Sequence, residues 1–486
     1  MATILKIDPV TRLEGHCKVE VTIDTVGGVQ KVTDAKCSGN VFRGFENMLI
    51  GHDPLDAPHY TQRICGVCPV SHGMASVLNL ENAFALVPSE NGRILRNLVL
   101  GSNFIQSHIL HFYHLAALDY IDTSGILDLP PFFPRLVTPD MVGGATAAAL
   151  VGHYVTALEM RRKAHQMAAI FGGKIPHVPS FVPGGCTATP TAATIADFRA
   201  LLTTLRGFVD GTYIPDVLAV AGAFPAWYGI GGTGAGNLLS YGVFDLESTG
   251  TTKLLARGVL TNGTLDALNV AAVGPGIREH VTRSYYSSAN DLHPSAGVTT
   301  PDAYKAGAYS WTKAPRYGDV RHEAGPLARM WINGDYTNGV SVIDREAARA
   351  LEAKKVADAM DGWLDQLVPD ATSYIYKQQP YSGTGVGLTE APRGALGHWM
   401  TLAGGTISRY QVITPTAWNA GPKDLYGNYG PIEAALVGTP IPDINQPVGV
   451  MRVIHSFDPC LSCSVHMVRP DSKAKPIVLD VRCSAL

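Results

Sequence analysis

Two cysteines three residues apart, Cys65 and Cys68, stand in QRICGVCPVSH (62–72), and SFDPCLSCSVH (456–466) repeats the spacing with Cys460 and Cys463. A Cys-x-x-Cys turn lets two sulfurs face one ion, and an adjacent metal strips the thiol protons and turns the sulfurs into ligands. Two such pairs make a four-sulfur site suited to zinc, an iron–sulfur cluster or another thiophilic transition metal. The bare spacing favours structural zinc. Paired zinc motifs, however, are usually separated by about 15–20 residues, and here nearly the whole chain lies between them. A redox dithiol is the weaker reading, because neither pair sits in a thioredoxin-like strand–helix context. A histidine follows each second cysteine, His72 and His466, whereas Cys17, Cys37, Cys186 and Cys483 stand alone and read as small buried or tail residues.

Positioning such a site takes a large fold. The chain has 486 residues with a formal net charge of −3, which gives no electrostatic footprint for nucleic acid or an anionic membrane. Only 16% of residues are charged and 46% are hydrophobic, against a usual charged share of about 25%. That balance calls for a large core and a surface partly covered by a partner. The most apolar stretch, 145–160, is interrupted by His153 and Glu159 and falls short of the roughly 20 apolar residues of a membrane span. The start, MATILKIDPVTRLEG, lacks the regions of a signal peptide and taken alone reads as cytoplasmic. Eight cysteines are too few for a disulfide scaffold.

Val19, Val21 and Ile23 alternate with polar residues over 17–24, and Gly27-Gly28 turns that strand into a second through Val32. Ser89 is the N-cap expected for a helix over 89–121 that is apolar on most sides and therefore central. Further helices are expected at 149–171, 191–208 and 344–366, with loops and short strands over 222–342 and a hairpin at 399–413 turning at Gly404-Gly405. His108, His111 and His114 recur every three residues, which rotates successive side chains by about 60°; they belong to the core and not to a ligand face. The expected fold is mainly α with a small N-terminal β portion and peripheral hairpins (α+β), one large domain around a central buried helix bundle.

RICGVC with PVSH after it, DPCLSCSVH, RLEGH (12–16) and HFYHLAALDY (111–120) occur together and in order. This resembles the large subunit of nickel–iron hydrogenases, from about residue 7 to residue 466. The resemblance implies a Ni–Fe centre, with Cys65 and Cys460 as terminal nickel ligands and Cys68 and Cys463 bridging nickel and iron. In that family the iron also carries carbon monoxide and cyanide installed by maturation proteins. It implies reversible heterolytic cleavage of H2, with the Cys460 thiolate as a base and Glu14 as first proton relay. Arg393 of EAPRGAL looks like the family's arginine above the open site, the alternative being a simple pair with Glu390. Glu46, His466 and the Val412 carbonyl match a second site for magnesium or iron. Thr416 matches a hydrogen-bond donor to cyanide, Asp119 a carboxylate near the arginine, and His72 a partner of a bridging sulfur. The alternative is a non-catalytic relative, a hydrogen sensor or structural metal-binding subunit.

Two features depart from the mature pattern. Residues 467–486 form an extension that, in the family, an endopeptidase removes after metal insertion, leaving a catalytic domain of 1–466. Segments such as DAKCSGNVFRGFE look closest to the nickel–iron–selenium branch, which carries selenocysteine where this chain has Cys460. The chain offers no second cysteine cluster, dinucleotide fingerprint or haem motif, since Pro69 follows Cys68 and Ser464 follows Cys463. Electrons must therefore leave through a partner, in the family an iron–sulfur small subunit that also carries the twin-arginine export signal. The expected location is periplasmic, with cytoplasmic or membrane-associated as the alternative.

Overall fold

The computed structural model describes residues 2–129, 135–269 and 276–464, with Cys463 and Ser464 described by backbone alone. The alternating N-terminal segment folds into an antiparallel sheet of β1 (Thr3–Ile7), β2 (Cys17–Val26) and β3 (Val29–Gly39), in that order. Gly27 and Gly28 turn β2 into β3 with φ of 60° and 81°, angles that most side chains avoid. Val19, Val21 and Ile23 face the core. Cys17 and Cys37 do not stand alone: their sulfurs lie 3.8 Å apart on neighbouring strands, a pairing that the strand register creates and spacing in the sequence cannot reveal.

After the first cysteine motif the chain becomes helical. α1 (Pro69–Phe84) starts on Pro69, whose fixed φ suits a first helical position. α2 (Glu90–Leu110) is capped by Ser89, which accepts the Gly92 N–H at 3.1 Å. Almost every residue of α2 is buried, and α3 (Gly144–Gly172) and α5 (Val342–Gln366) pack against it. α4 (Ala192–Phe208), with a Thr191 capping box, lies against α3 and α5. This is the expected central bundle. The helix expected over 89–121 is not uniform, however: it widens into a π-helical turn at His111–Ala116 and tightens into a 3₁₀ turn at Ala117–Asp119. There His111 Nε2–H donates to the His455 carbonyl at 2.6 Å, a tie to a distant segment that local periodicity cannot predict. His108 and His111 are buried, as expected of core residues, and His114 is half-buried.

Short antiparallel strands occupy the Gly- and Thr-rich middle of the chain, between Leu238 and Tyr317. The hairpin at 399–413 turns at Gly404-Gly405, as its glycines predict, but it is part of a larger sheet. β4 (Gly383–Ala391), β5 (Gly394–Ala403) and β6 (Thr406–Ile413) pair antiparallel in sequence order. Residues 387–400 are buried, because α1 lies across this sheet. The close approach depends on glycine. A Cβ at Gly387 would sit 1.9 Å from the Ala75 carbonyl oxygen and 2.5 Å from the Asn79 nitrogen. Beyond β6, α6 (Pro415–Ala420) and α7 (Val448–Ser456) return the chain to the core, where Arg452 on α7 donates to the Asp119 carbonyl at 2.9 Å.

Gly387→Ala should lower stability by about 2 kcal/mol or more, since overpacking a close contact usually costs about 1–3 kcal/mol. Gly362→Ala, on α5 with open space around the added carbon, should instead be neutral or stabilising by up to about 1 kcal/mol. Thermal unfolding of both variants beside the parent checks the contrast; equal melting temperatures would contradict it.

Candidate metal centre

Three chain segments meet at the cysteines. Cys65 is extended, between a 3₁₀ turn (Gln62–Ile64) and α1, and the Val67 and Cys68 N–H groups donate to its sulfur at 3.2 and 3.4 Å. Cys68 immediately precedes α1. Cys460 arrives from the other end of the chain and forms a parallel bridge with Glu14. The Leu461 N–H donates to the Glu14 carbonyl at 2.8 Å, and the Cys460 N–H donates to the Thr416 hydroxyl oxygen at 2.9 Å. The sulfurs of Cys65 and Cys460 lie 3.3 Å apart. With Cys68 they form a buried cluster whose donor atoms all lie within 4.8 Å of one another. The Cys463 backbone continues in the turn Leu461–Ser464 beside them. The Cys463 side chain, His466 and the extension 467–486 lie outside the described residues.

RLEGH supplies more than a carboxylate. Glu14 Oε2 accepts from Cys460 Sγ at 3.1 Å and from the Ser462 N–H at 3.3 Å. Gly15 has φ +83°, and a Cβ there would stand 2.4 Å from the Ser462 nitrogen, so only glycine lets the two segments cross. Arg43, which the motif reading passed over, donates to the carbonyls of Ile64 and Ser462 and so clamps both cysteine segments. Its signal lay in VFRGFE, beside the glutamate that drew notice.

Arg393 sits at the buried turn between β4 and β5, and its partner is Asp458, with Nη2 3.0 Å from Oδ1. Glu390 pairs instead with Arg329 at 2.7 Å, so the simple Arg393–Glu390 pair does not form. Burial opposes the Arg393 charge, but Asp458 and then the sulfurs of Cys460, Cys68 and Cys65 hold its pKa well above the ordinary arginine value. Its three guanidinium nitrogens nevertheless make no well-formed hydrogen bond among the described residues. A buried cation with idle donors beside sulfur ligands fits a centre that carries acceptor groups of its own. Asp119, expected near this arginine, makes its own pairs elsewhere. It is ion-paired with Arg12 and accepts from His455 Nδ1 at 2.5 Å. Although burial raises its pKa, Arg12 and His455 bring it below the usual carboxylate value.

His72 lies behind the cluster, its Nδ1 3.3 Å from Nε2 of His398. Burial lowers its pKa to about 4, against an opposing pull from Cys65. Glu46 and Val412 are adjacent as expected, but the contact described is the Val412 N–H donating to Glu46 Oε1 at 3.0 Å and not a contact of its carbonyl. Thr299 donates to the other Glu46 oxygen. Lys313 Nζ lies 3.9 Å from Glu46 and 3.3 Å from Glu279, which also accepts from Gln411 at 2.7 Å. Burial, reinforced by Glu46, raises the Glu279 pKa despite Lys313. Two buried carboxylates thus face one ammonium, an arrangement that a divalent cation would balance.

A family profile described as nickel-dependent hydrogenase matches residues 43–133, 141–340 and 332–466, and one described as HoxL-like matches 4–34. The chain belongs to the nickel-dependent hydrogenase family. This hydrogenase chain is 40% identical to the periplasmic [NiFeSe] hydrogenase large subunit of Desulfomicrobium baculatum, over 98% of this chain and 97% of that one. It is 31% identical to the hydrogenase-2 large chain of Escherichia coli K12, over 97% and 98%. Its fold is similar to the Ni-Fe-Se hydrogenase of D. vulgaris Hildenborough in the reduced state, with a TM-score of 0.91, 39% identity and coverage of 96% of this chain and 100% of that one. The reduced, active Ni-Fe-Se enzyme of Desulfomicrobium baculatum gives 0.89, 41%, 96% and 100%. The family is one of nickel-dependent oxidoreductases, a context that favours nickel over a structural zinc at the cluster of Cys65, Cys68 and Cys460.

Near the hydrogenase centre, Glu346 on α5 has its pKa raised to about 8, chiefly by burial and further by Asp458 and Asp119 against the pull of Arg349. Its ordinary value is 4.5, so the folded protein keeps a proton that the unfolded chain releases. The contribution to stability is full at acid pH and is lost as pH rises through the folded value. Glu346→Gln should therefore flatten the fall in stability between about pH 5 and pH 9, measured by denaturant unfolding at fixed ionic strength. An unchanged slope would contradict the assignment.

Proposed function

We propose that this chain is the catalytic large subunit of a nickel–iron hydrogenase. Cys65 and Cys460 would hold nickel, and Cys68 and Cys463 would serve both nickel and an iron that would carry carbon monoxide and cyanide. The observation that carries the reading is the meeting of Cys65, Cys68 and Cys460 in one buried cluster. Such a centre supplies the redox chemistry of reversible H2 cleavage, thiolates suiting nickel and strong-field ligands suiting iron.

The chain's own residues handle the proton and hold the geometry. Cys460 sulfur accepts a proton and hands it to Glu14 Oε2, 3.1 Å away. Glu14 is half-buried and so stands between the closed cluster and the wetter exterior. Arg393, balanced by Asp458, presents N–H donors to cyanide and to the open side of the site; its raised pKa suits it to orienting and polarising and not to acting as a base. The Thr416 hydroxyl accepts from the Cys460 N–H, which leaves its own proton for a cyanide nitrogen. Glu46, with Val412 and His466, takes a magnesium or iron ion that joins the C-terminal motif to the N-terminal region. Asp119 keeps Arg12 and His455 in place behind the site.

Among the described residues no other group of three or more cysteines could carry electrons, which supports export through an iron–sulfur small subunit in a heterodimer. No helix among the described residues is long and apolar enough to cross a membrane. The partner's export signal takes the pair to the periplasm, after maturation proteins build the centre and an endopeptidase removes 467–486. A sensor or purely structural role is disfavoured by the complete set of four thiols and by the extension.

Metal analysis of the purified heterodimer should give close to one nickel and one iron at this site, with infrared bands of metal-bound carbon monoxide and cyanide. Zinc alone with no such bands would overturn the reading. Glu14→Gln should keep both metals and lower H2/D+ exchange about a hundredfold, the usual scale for losing a proton-transfer group; undiminished exchange would remove Glu14 from the proton path.

A further inference from the structure

A second group of ligand-type side chains lies apart from the cysteines, on a two-stranded sheet in the middle of the chain. His280 ends the strand Ile277–His280, which pairs antiparallel with Ala314–Tyr317. Asp319 follows that partner strand after Gly318. Asp291 lies on the segment that returns beside His280, its N–H donating to the Glu279 carbonyl at 3.0 Å. His280 Nε2 is 3.5 Å from Asp319 Oδ1 and 3.8 Å from Asp291 Oδ1. The three donor atoms all lie within 4.8 Å of one another.

Two carboxylates near the surface are ordinary; the histidine between them is not. His280 is only 1% exposed, and its Nε2 has no hydrogen-bond partner among the described residues. Asp291 Oδ1 is likewise buried without one. Burial and Arg316 lower the His280 pKa against the pull of Asp424, Asp291 and Asp319, so the ring is neutral and does not answer the two negative charges. The separations are too long for N–H···O bonds but close to those around an ion. Ligands about 2.0–2.2 Å from a tetrahedral zinc stand roughly 3.3–3.6 Å apart. Arg278 Nη1, 3.4 Å from Asp291 Oδ2, faces the oxygen that an ion would leave free.

We propose that His280, Asp291 and Asp319 bind a divalent transition-metal ion of the zinc class, with water completing its shell. Imidazole nitrogen suits such an ion, and two carboxylates neutralise it. The Leu425 N–H donates to His280 Nδ1 at 3.3 Å, which keeps the ring proton on Nε2 while no ion is bound. Ligation moves that proton to Nδ1, and the Leu425 N–H, at the long end of a hydrogen bond, turns to water; Leu425 is exposed. Glu279, the preceding residue, points to the other face of the strand, where it meets Lys313 and Gln411. The ion therefore fastens the loops at 291 and 319 to the strand that carries Glu279. None of its ligands belongs to the cysteine centre, so the proposal does not rest on the nickel–iron reading.

The test titrates the purified, metal-loaded heterodimer, first dialysed against a chelator, with zinc chloride. Bound zinc is read by elemental analysis after gel filtration, and stability by thermal unfolding. The parent should then hold one zinc and melt at a higher temperature with zinc present, because an ion that binds only the folded chain stabilises it. Asp291→Asn and Asp319→Asn keep the side-chain shape, and asparagine accepts the left-handed backbone of both positions, φ 63° and 59°. Each should weaken zinc binding about tenfold or more, already the scale for losing an outer partner of a metal ligand. The double variant should lose both the zinc and the thermal gain, with nickel and iron contents and the zinc-free melting temperature unchanged. Parental zinc uptake in the double variant would overturn the proposal, as would a parent that holds none. Should the double variant fail to fold, the single variants decide.

Discussion

The return of the C-terminal motif to the N-terminal segment governs the rest of the structure. Cys460 reaches Cys65 because the backbone on either side of it is already paired: Leu461 N–H to the Glu14 carbonyl, Cys460 N–H to Thr416, and the Ser462 carbonyl to Arg43. Arg43 also holds the Ile64 carbonyl, one residue before Cys65. The sulfurs are therefore brought together by main-chain hydrogen bonds as well as by any metal, and the clamp residues are as much part of the centre as its ligands. Gly15 makes this crossing possible, in the same way that Gly387 lets α1 lie against the β4–β6 sheet.

Around this junction the protein buries an unusual amount of charge, and nearly all of it is paired. Arg393 meets Asp458, Asp119 meets Arg12 and His455, and Arg329 bridges Glu352 and Glu390. Such pairs contribute little net stability, because desolvation offsets their attraction. Removing one partner is nonetheless costly, so they fix positions. Two sites among the described residues where pairing is incomplete are informative: the idle donors of Arg393 and the excess carboxylate beside Lys313. Both adjoin places where the proposed centre and second metal would supply the missing partner.

Much of this was legible in the sequence. The alternation of β2, the Ser89 cap, the long amphipathic or buried helices and the Gly404-Gly405 turn are local signals, and each element formed within a few residues of its expected bounds. The cysteine motifs, with RLEGH and HFYHLAALDY, point to the right family, and Cys65, Cys68, Cys460 and Glu14 do converge. What escaped was long-range. Asp458 as the partner of Arg393, the Cys17–Cys37 contact, the Arg43 clamp and the burial of the β4–β6 sheet all depend on which distant segments meet. The partners of Asp119 escaped for the same reason: they come from residues 12 and 455, and no periodicity carries that information. The π-helical turn at 111–116 likewise answers to a carbonyl on α7.

The central claim is that one buried point gathers sulfurs from both ends of the chain around a nickel–iron pair. Nickel K-edge X-ray absorption on the purified heterodimer tests it most directly. The account predicts a first shell dominated by sulfur with an iron atom as the next heavy scatterer. A shell of nitrogen and oxygen without iron would contradict it.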